Sequence, residues 1–121
     1  MVQSVASKAK DIVLGKSLRY FAPGVGFMRL GYCNYTSLDP NPHTVASIVT
    51  KEFLEFSRMQ GNDLITPRLE HGFWGLTEGC RWCIGMQRWL EAFKAREQFG
   101  DAIVPRLNQI TCSQLMITEL C

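Results

Sequence analysis

The stretch Gly79-Cys80-Arg81-Trp82-Cys83-Ile84-Gly85-Met86-Gln87-Arg88-Trp89 takes the chain from an extended run into a helix. Arg81 to Ile84 reads as a short strand. From Met86 onward the apolar residues Met86, Trp89, Leu90 and Phe93 recur at the i, i+3, i+4, i+7 spacing of an amphipathic helix. That helix is predicted to reach Gln98 and to stop at Gly100. The same switch occurs upstream. His43 to Val49, with β-branched Thr44, Val45, Ile48 and Val49, reads as a strand. Thr50 then offers an N-cap hydroxyl, and Glu52 places a negative charge in the first turn. The helix runs to about Gln60, with Phe53, Leu54, Phe56 and Met59 facing the core, and Gly61-Asn62 ends it.

Working outward, residues 61 to 79 are punctuated by Gly61, Pro67, Gly72, Gly75 and Gly79 and read as a long loop. Ile103 to Ile110 is a predicted strand whose Pro105 places it at a sheet edge. Thr111 with Gln114 forms a capping box for a last helix to about Leu120. Toward the other end, Leu38-Asp39-Pro40-Asn41-Pro42 is a turn or extended connection, because a proline disfavours helix in the residue before it. Phe27 to Tyr32 is a candidate short strand, Ala22 to Gly26 a loop, and residues 3 to 14 a helix. Strands and helices mix without strict βαβ alternation. The expected fold is therefore α+β, a short mixed or antiparallel sheet packed by about three to four helices. Residues 1–15 are expected to form an amphipathic helix or targeting-like extension, and residues 16–121 a single domain.

Composition narrows the function classes. The chain has 121 residues, 46% hydrophobic and 20% charged, which suits one globular domain. A net charge of +2 is too small to argue for nucleic acid. No run approaches the ~20 apolar residues of a transmembrane helix. Before Asp39 the only acid is Asp11, against Lys8, Lys10, Lys16, Arg19 and Arg29. Val2, Val5, Ala9, Ile12 and Val13 fall near one helical face, so this basic start resembles an organellar transit peptide. Five cysteines (Cys33, Cys80, Cys83, Cys112 and Cys121) are an odd number, and free thiols in a reducing compartment are the expectation.

Cys80 and Cys83 are spaced as half of a zinc site, for which Cys33 and His43 could supply the other ligands. They could equally be a redox dithiol ahead of a helix, or small buried hydrophobes, and the last reading is favoured. His43 has no catalytic partner visible by spacing and is expected to be structural. His71 is expected to be a loop residue. Gly61-Asn62-Asp63-Leu64 could bind a metal or anion, but turn chemistry explains the same residues. Trp74, Trp82 and Trp89 are expected in the core. Arg81 and Arg88 are expected to be solvated, to stack on Trp82 and Trp89, or to meet an acidic partner.

A collinear set of segments carries a family resemblance. It runs through Gly26-Phe27-Met28-Arg29, Gly31-Tyr32-Cys33, His43-Thr44-Val45, Glu52-Phe53-Leu54-Glu55-Phe56-Ser57 and Gly61-Asn62-Asp63-Leu64. It continues through Thr66-Pro67, Gly75-Leu76, Arg81-Trp82-Cys83 and Arg88-Trp89. Together these resemble domain of unknown function family 2237. The resemblance implies a small single-domain protein with no assigned activity and a richer cysteine set. Where it implies further cysteines, this chain has Arg19-Tyr20-Phe21, Ala46 and Gly85, and Cys80 stands in place of an aspartate. A Thr-His-Glu implied near the end reads Thr111-Cys112-Ser113. On this reading the chain is a degenerate member that kept its hydrophobic and turn positions and lost most reactive groups.

The function expected from the sequence is a non-catalytic structural or accessory subunit of a larger assembly, bound to protein partners and placed in mitochondria by its N-terminus. No cofactor is expected. The alternative function is a metal- or thiol-dependent enzyme or redox protein using Cys33, His43, Cys80 and Cys83, with zinc as its metal, and the alternative location is cytoplasmic.

Overall fold

The computed structural model describes residues 19–110. Three strands, β1 (Val45–Ile48), β2 (Arg81–Ile84) and β3 (Arg106–Ile110), form one antiparallel sheet in the order β2-β1-β3. Helix α1 (Lys51–Met59) follows β1, and helix α2 (Met86–Phe99) follows β2. Short 3-10 turns occupy Leu69–His71 and Asp101–Ile103. The α+β class and the antiparallel sheet are as expected. Two α-helices stand among the described residues where three to four were expected; those foreseen at 3–14 and 111–120 lie outside the described residues.

The pleat of the sheet divides the core in two. Val45 sits opposite Ile84 in the β1–β2 register, and both side chains join the main core with Val49, Phe53, Met86 and Trp89. Ala46 sits opposite Cys83, one residue on, so both point to the other face. There they meet Phe21, Val25 and Cys33 in a second, smaller cluster. Burying each large side chain contributes roughly 1.5–3 kcal/mol, so the sheet is held mainly from the helix side. A one-residue bulge in the β1–β3 ladder shifts the register between Ala46 and Ser47. Pro105, fully buried, stands just before β3, where its missing N–H breaks no ladder bond.

Helix α1 starts and stops as its sequence requires. Thr50 Oγ1 accepts from Phe53 N at 2.9 Å and donates to Ala102 O at 2.6 Å, capping the helix and tying it to the turn before β3. At the other end Gly61 N donates to Arg58 O and Asn62 N to Ser57 O, the two bonds of a Schellman stop. Met59 is exposed, against expectation, and Ser57 is buried instead. At about 100° per residue, Met59 lies roughly 240° round from Phe53, whereas Ser57 lies about 40° away. Phe93 is also less buried than expected: it stacks on Trp89 at 5.2 Å at the rim of the core and carries the Arg96 guanidinium 3.8 Å above its ring.

Two further expectations fail. Residues 27–32 form turns and bends, not a strand. Gly26 at φ 91° and Gly31 at φ 95° require backbone that a strand does not use, and Arg29 joins them at φ 58°. A side chain on Gly26 would place its first carbon 2.2 Å from Tyr32 O, so the loop folds back on itself where only glycine fits. Trp74 is 78% exposed, on the far side of a tight hairpin in which Arg68 and Phe73 exchange both backbone bonds.

Candidate functional site

The segment Asp39-Pro40-Asn41-Pro42-His43 gathers its hydrogen bonds around one carboxyl. Its two prolines have no N–H to donate. The remaining donors, Asn41 N and His43 N, both go to the Asp39 carboxyl, at 3.2 and 2.9 Å. The loop thereby curls until the His43 ring reaches the same group, Nδ1 lying 2.7 Å from Asp39 Oδ2. The Asp39 side chain is 2% exposed and that of His43 40%. With Nδ1 donating to the carboxyl oxygen, the neutral ring offers Nε2 as an acceptor. The partner that spacing did not reveal for His43 is therefore Asp39, four residues earlier.

His43 and Asn41 line one side of a pocket of about 320 Å³. Trp82 and Ile84 of β2 and Gly85 and Arg88 at the start of α2 form other parts of its wall. Met86 N donates to Pro42 O at 2.9 Å, which pins the histidine loop against the first turn of α2. Arg88 is fixed at the rim by Gln60 O and Glu91 Oε1, both at 3.2 Å. It does not stack on Trp89. Gly85 caps α2 with no side chain to offer. A Cβ built on it would stand 3.8 Å from both His43 Nε2 and His43 Cδ2.

The cysteine candidates part company. Cys33 and Cys83 form a disulfide, with Cα atoms 5.2 Å apart, so two of the thiols expected to be free are joined. Both are buried in the smaller core cluster. Cys80, only three residues from Cys83, points elsewhere: its sulfur accepts from Thr77 N at 3.4 Å. Residues three apart along extended chain face opposite ways, so this Cys-x-x-Cys does not close on itself. Cys112 and Cys121 lie outside the described residues. Among the described residues no group of three or more His, Cys, Asp or Glu is gathered as metal ligands; Cys33, His43, Cys80 and Cys83 do not meet as one zinc site.

The Asn62-Asp63 loop is turn chemistry. Asn62 Nδ2 donates to Ser57 Oγ at 3.0 Å, and Ser57 Oγ donates to Asn62 O at 2.9 Å. Asp63 Oδ1 accepts from Ile65 N and Thr66 N. The Thr66 hydroxyl first, then these backbone donors, lower the Asp63 pKa from 3.8 to about 2. A depressed carboxyl contributes stability fully above its unfolded pKa and loses it as pH falls through the folded value. Asp63→Asn is therefore expected to flatten the loss of stability between about pH 4 and pH 2. Denaturant midpoints of both proteins across that range check the sign.

A second feature is the loop that the disulfide ties down. Phe21 and Val25 turn inward, while Tyr20, Phe27, Met28, Leu30 and Tyr32 stay exposed, Leu30 at 70%. Arg81 lies on this face of the sheet: it donates to Phe21 O at 3.3 Å and covers the Phe21 ring at 5.3 Å. Arg29 lies 5.2 Å over Trp82, so the arginine on that ring comes from the loop and not from β2.

The family profile described as "Uncharacterized protein conserved in bacteria (DUF2237)" matches residues 11–119. The chain belongs to the DUF2237 family. The match takes in the stapled loop, the Asp39–His43 turn, the sheet and both helices of this DUF2237 member. A comparison with curated proteins finds no match. No helix among the described residues is long and apolar enough to cross a membrane.

The sequence singled out His43 but not Asp39, which it read as part of a proline turn. The available signal was two prolines between an acid and a histidine four residues apart, which leaves a short loop few ways to satisfy its donors. Nothing in the sequence placed Gly85 beside His43, because that approach depends on how β2 and α2 pack against the turn.

Proposed function

We propose that this DUF2237 member is a non-catalytic accessory subunit that docks on a protein partner through residues 20–32. The observation that carries this reading is the concentration of exposed Tyr20, Phe27, Met28, Leu30 and Tyr32 on one loop. Scattered apolar residues on a surface are ordinary, but five large ones within thirteen residues are not. The disulfide and the inward-facing Phe21 and Val25 fasten that loop to the sheet and leave those apolar side chains exposed. Arg29 and Arg81 add positive charge beside them. The complementary partner surface is therefore apolar with an acidic rim.

A mitochondrial assembly is the proposed setting, from the basic amphipathic start of the chain. The Cys33–Cys83 bond adds a condition, because disulfides form and persist where the compartment is oxidising. The thiol- or metal-dependent alternative has the Asp39–His43 pair in its favour. Against it weighs the burial of both disulfide sulfurs, since exchange needs an accessible sulfur.

Phe27→Asp with Leu30→Asp tests the proposal. Both positions are exposed, so the fold should be retained and far-ultraviolet circular dichroism unchanged. Partner affinity is expected to fall by about 2 kcal/mol or more, roughly 30-fold. The measurement is native co-purification followed by titration with the purified partner. A wild-type chain that stays monomeric and brings down no stoichiometric partner would sink the reading, and so would a double variant that binds as tightly as wild type.

A further inference from the structure

The pocket beside His43 has the parts of a nucleophile–histidine–acid site with one part missing. Asp39 is buried and binds Nδ1 of His43, which orients the ring and leaves Nε2 toward the pocket. In sites of this kind the next requirement is a hydroxyl or thiol within reach of that nitrogen. The residue that stands there is Gly85, whose Cβ position would be 3.8 Å from Nε2. Neither the backbone nor the space demands glycine at this point. Gly85 has φ −60° and ψ 135°, a conformation open to any residue, and the nearest atoms to an added Cβ lie at ordinary contact distance. Position 85 is also the cap of the fourteen-residue helix α2, where a developing negative charge is favoured.

We propose that Asp39 and His43 form the base half of a nucleophile–histidine–aspartate site whose nucleophile position is residue 85. The glycine there leaves a pocket that can receive a small ligand but cannot attack it covalently. This goes beyond the partner-docking reading, which concerns a different surface and is tested separately by the loop variants.

Gly85→Cys supplies the missing atom, and iodoacetamide reads it. In that reaction the Cys sulfur bonds to the CH2 carbon, the C–I bond breaks, iodide leaves, and the thiol proton passes to His43 Nε2. The alkylated peptide is followed by mass spectrometry, which separates residue 85 from Cys80, Cys112 and Cys121. The expected result is a half-maximal alkylation pH at least about one unit below that of Gly85→Cys combined with His43→Gln, whose thiol should titrate nearer the free value of about 8.5. A smaller difference overturns the proposal, including the case in which both thiols are lowered alike by the helix terminus. If Gly85→Cys does not fold, the wild-type protein still decides the matter. Nitrogen-15 spectra of neutral His43 should show the proton on Nδ1 and a bare Nε2, and a proton on Nε2 overturns the assignment.

Discussion

Replacing both Cys33 and Cys83 with serine is expected to lower the unfolding free energy by about 4 kcal/mol, and the melting temperature by roughly 15 °C. The two residues are 50 apart in sequence, so the bond removes the closure entropy of a long loop from the unfolded chain. The folded state also loses something specific. The loop is joined to the sheet by the small cluster of Phe21, Val25, Cys33, Ala46 and Cys83, and the covalent bond lies within it. Without it, the loop is held by the packing of Phe21 and Val25, the Arg81 bond to Phe21 O and the Arg29 contact with Trp82. Partner binding is therefore expected to weaken together with stability, because the exposed side chains proposed to dock are no longer presented as a set. Thermal melts of the double variant, and of wild type with a reductant, should agree. A wild-type melt unchanged by reduction would show that the loop is held by packing alone.

Asp39→Ala is expected to cost about 2–3 kcal/mol, large for one side chain in a loop. The carboxyl accepts from three donors, Asn41 N, His43 N and His43 Nδ1, and its own side chain is almost fully buried. Removing it leaves two backbone N–H groups and an imidazole to find water in a turn that two prolines hold in place. The half-exposed histidine ring can rehydrate, which keeps the cost below that of a fully buried network. Asp39→Asn should cost less, because its amide keeps one acceptor oxygen and nearly the same shape. It should nevertheless release the ring, since three donors then compete for that single oxygen. Urea denaturation gives the free energies, and the His43 Nδ1 proton resonance reports the orientation. An unchanged resonance in Asp39→Ala would mean that packing, not the carboxyl, sets the ring.

Much of the frame was legible from local rules. The strand at Arg81–Ile84, the helix from Met86, the Thr50 cap and the Gly61 stop all follow from periodicity and cap chemistry within a few residues. The same rules misplaced Met59 because three-residue steps drift off a 3.6-residue stripe. They made a strand of residues 27–32 because they weighed side chains and overlooked the glycine backbone at Gly26 and Gly31. Residue type alone puts Trp74 in the core, yet the Arg68–Phe73 hairpin turns it outward.

The candidate site divides along the same line. By itself the sequence determined family membership, the α+β class and the two strand-to-helix switches, because each depends on residues that are near neighbours in the chain or on an ordered set of motifs. Only the tertiary structure decided which cysteines pair. Cys80 and Cys83 share the suggestive spacing, but the pleat turns them apart and brings Cys33 from fifty residues away. Only the tertiary structure set Gly85 against His43, through the Pro42–Met86 bond that closes a turn onto a helix start. Spacing records what neighbours along the chain can do; which distant side chains meet depends on packing across the sheet.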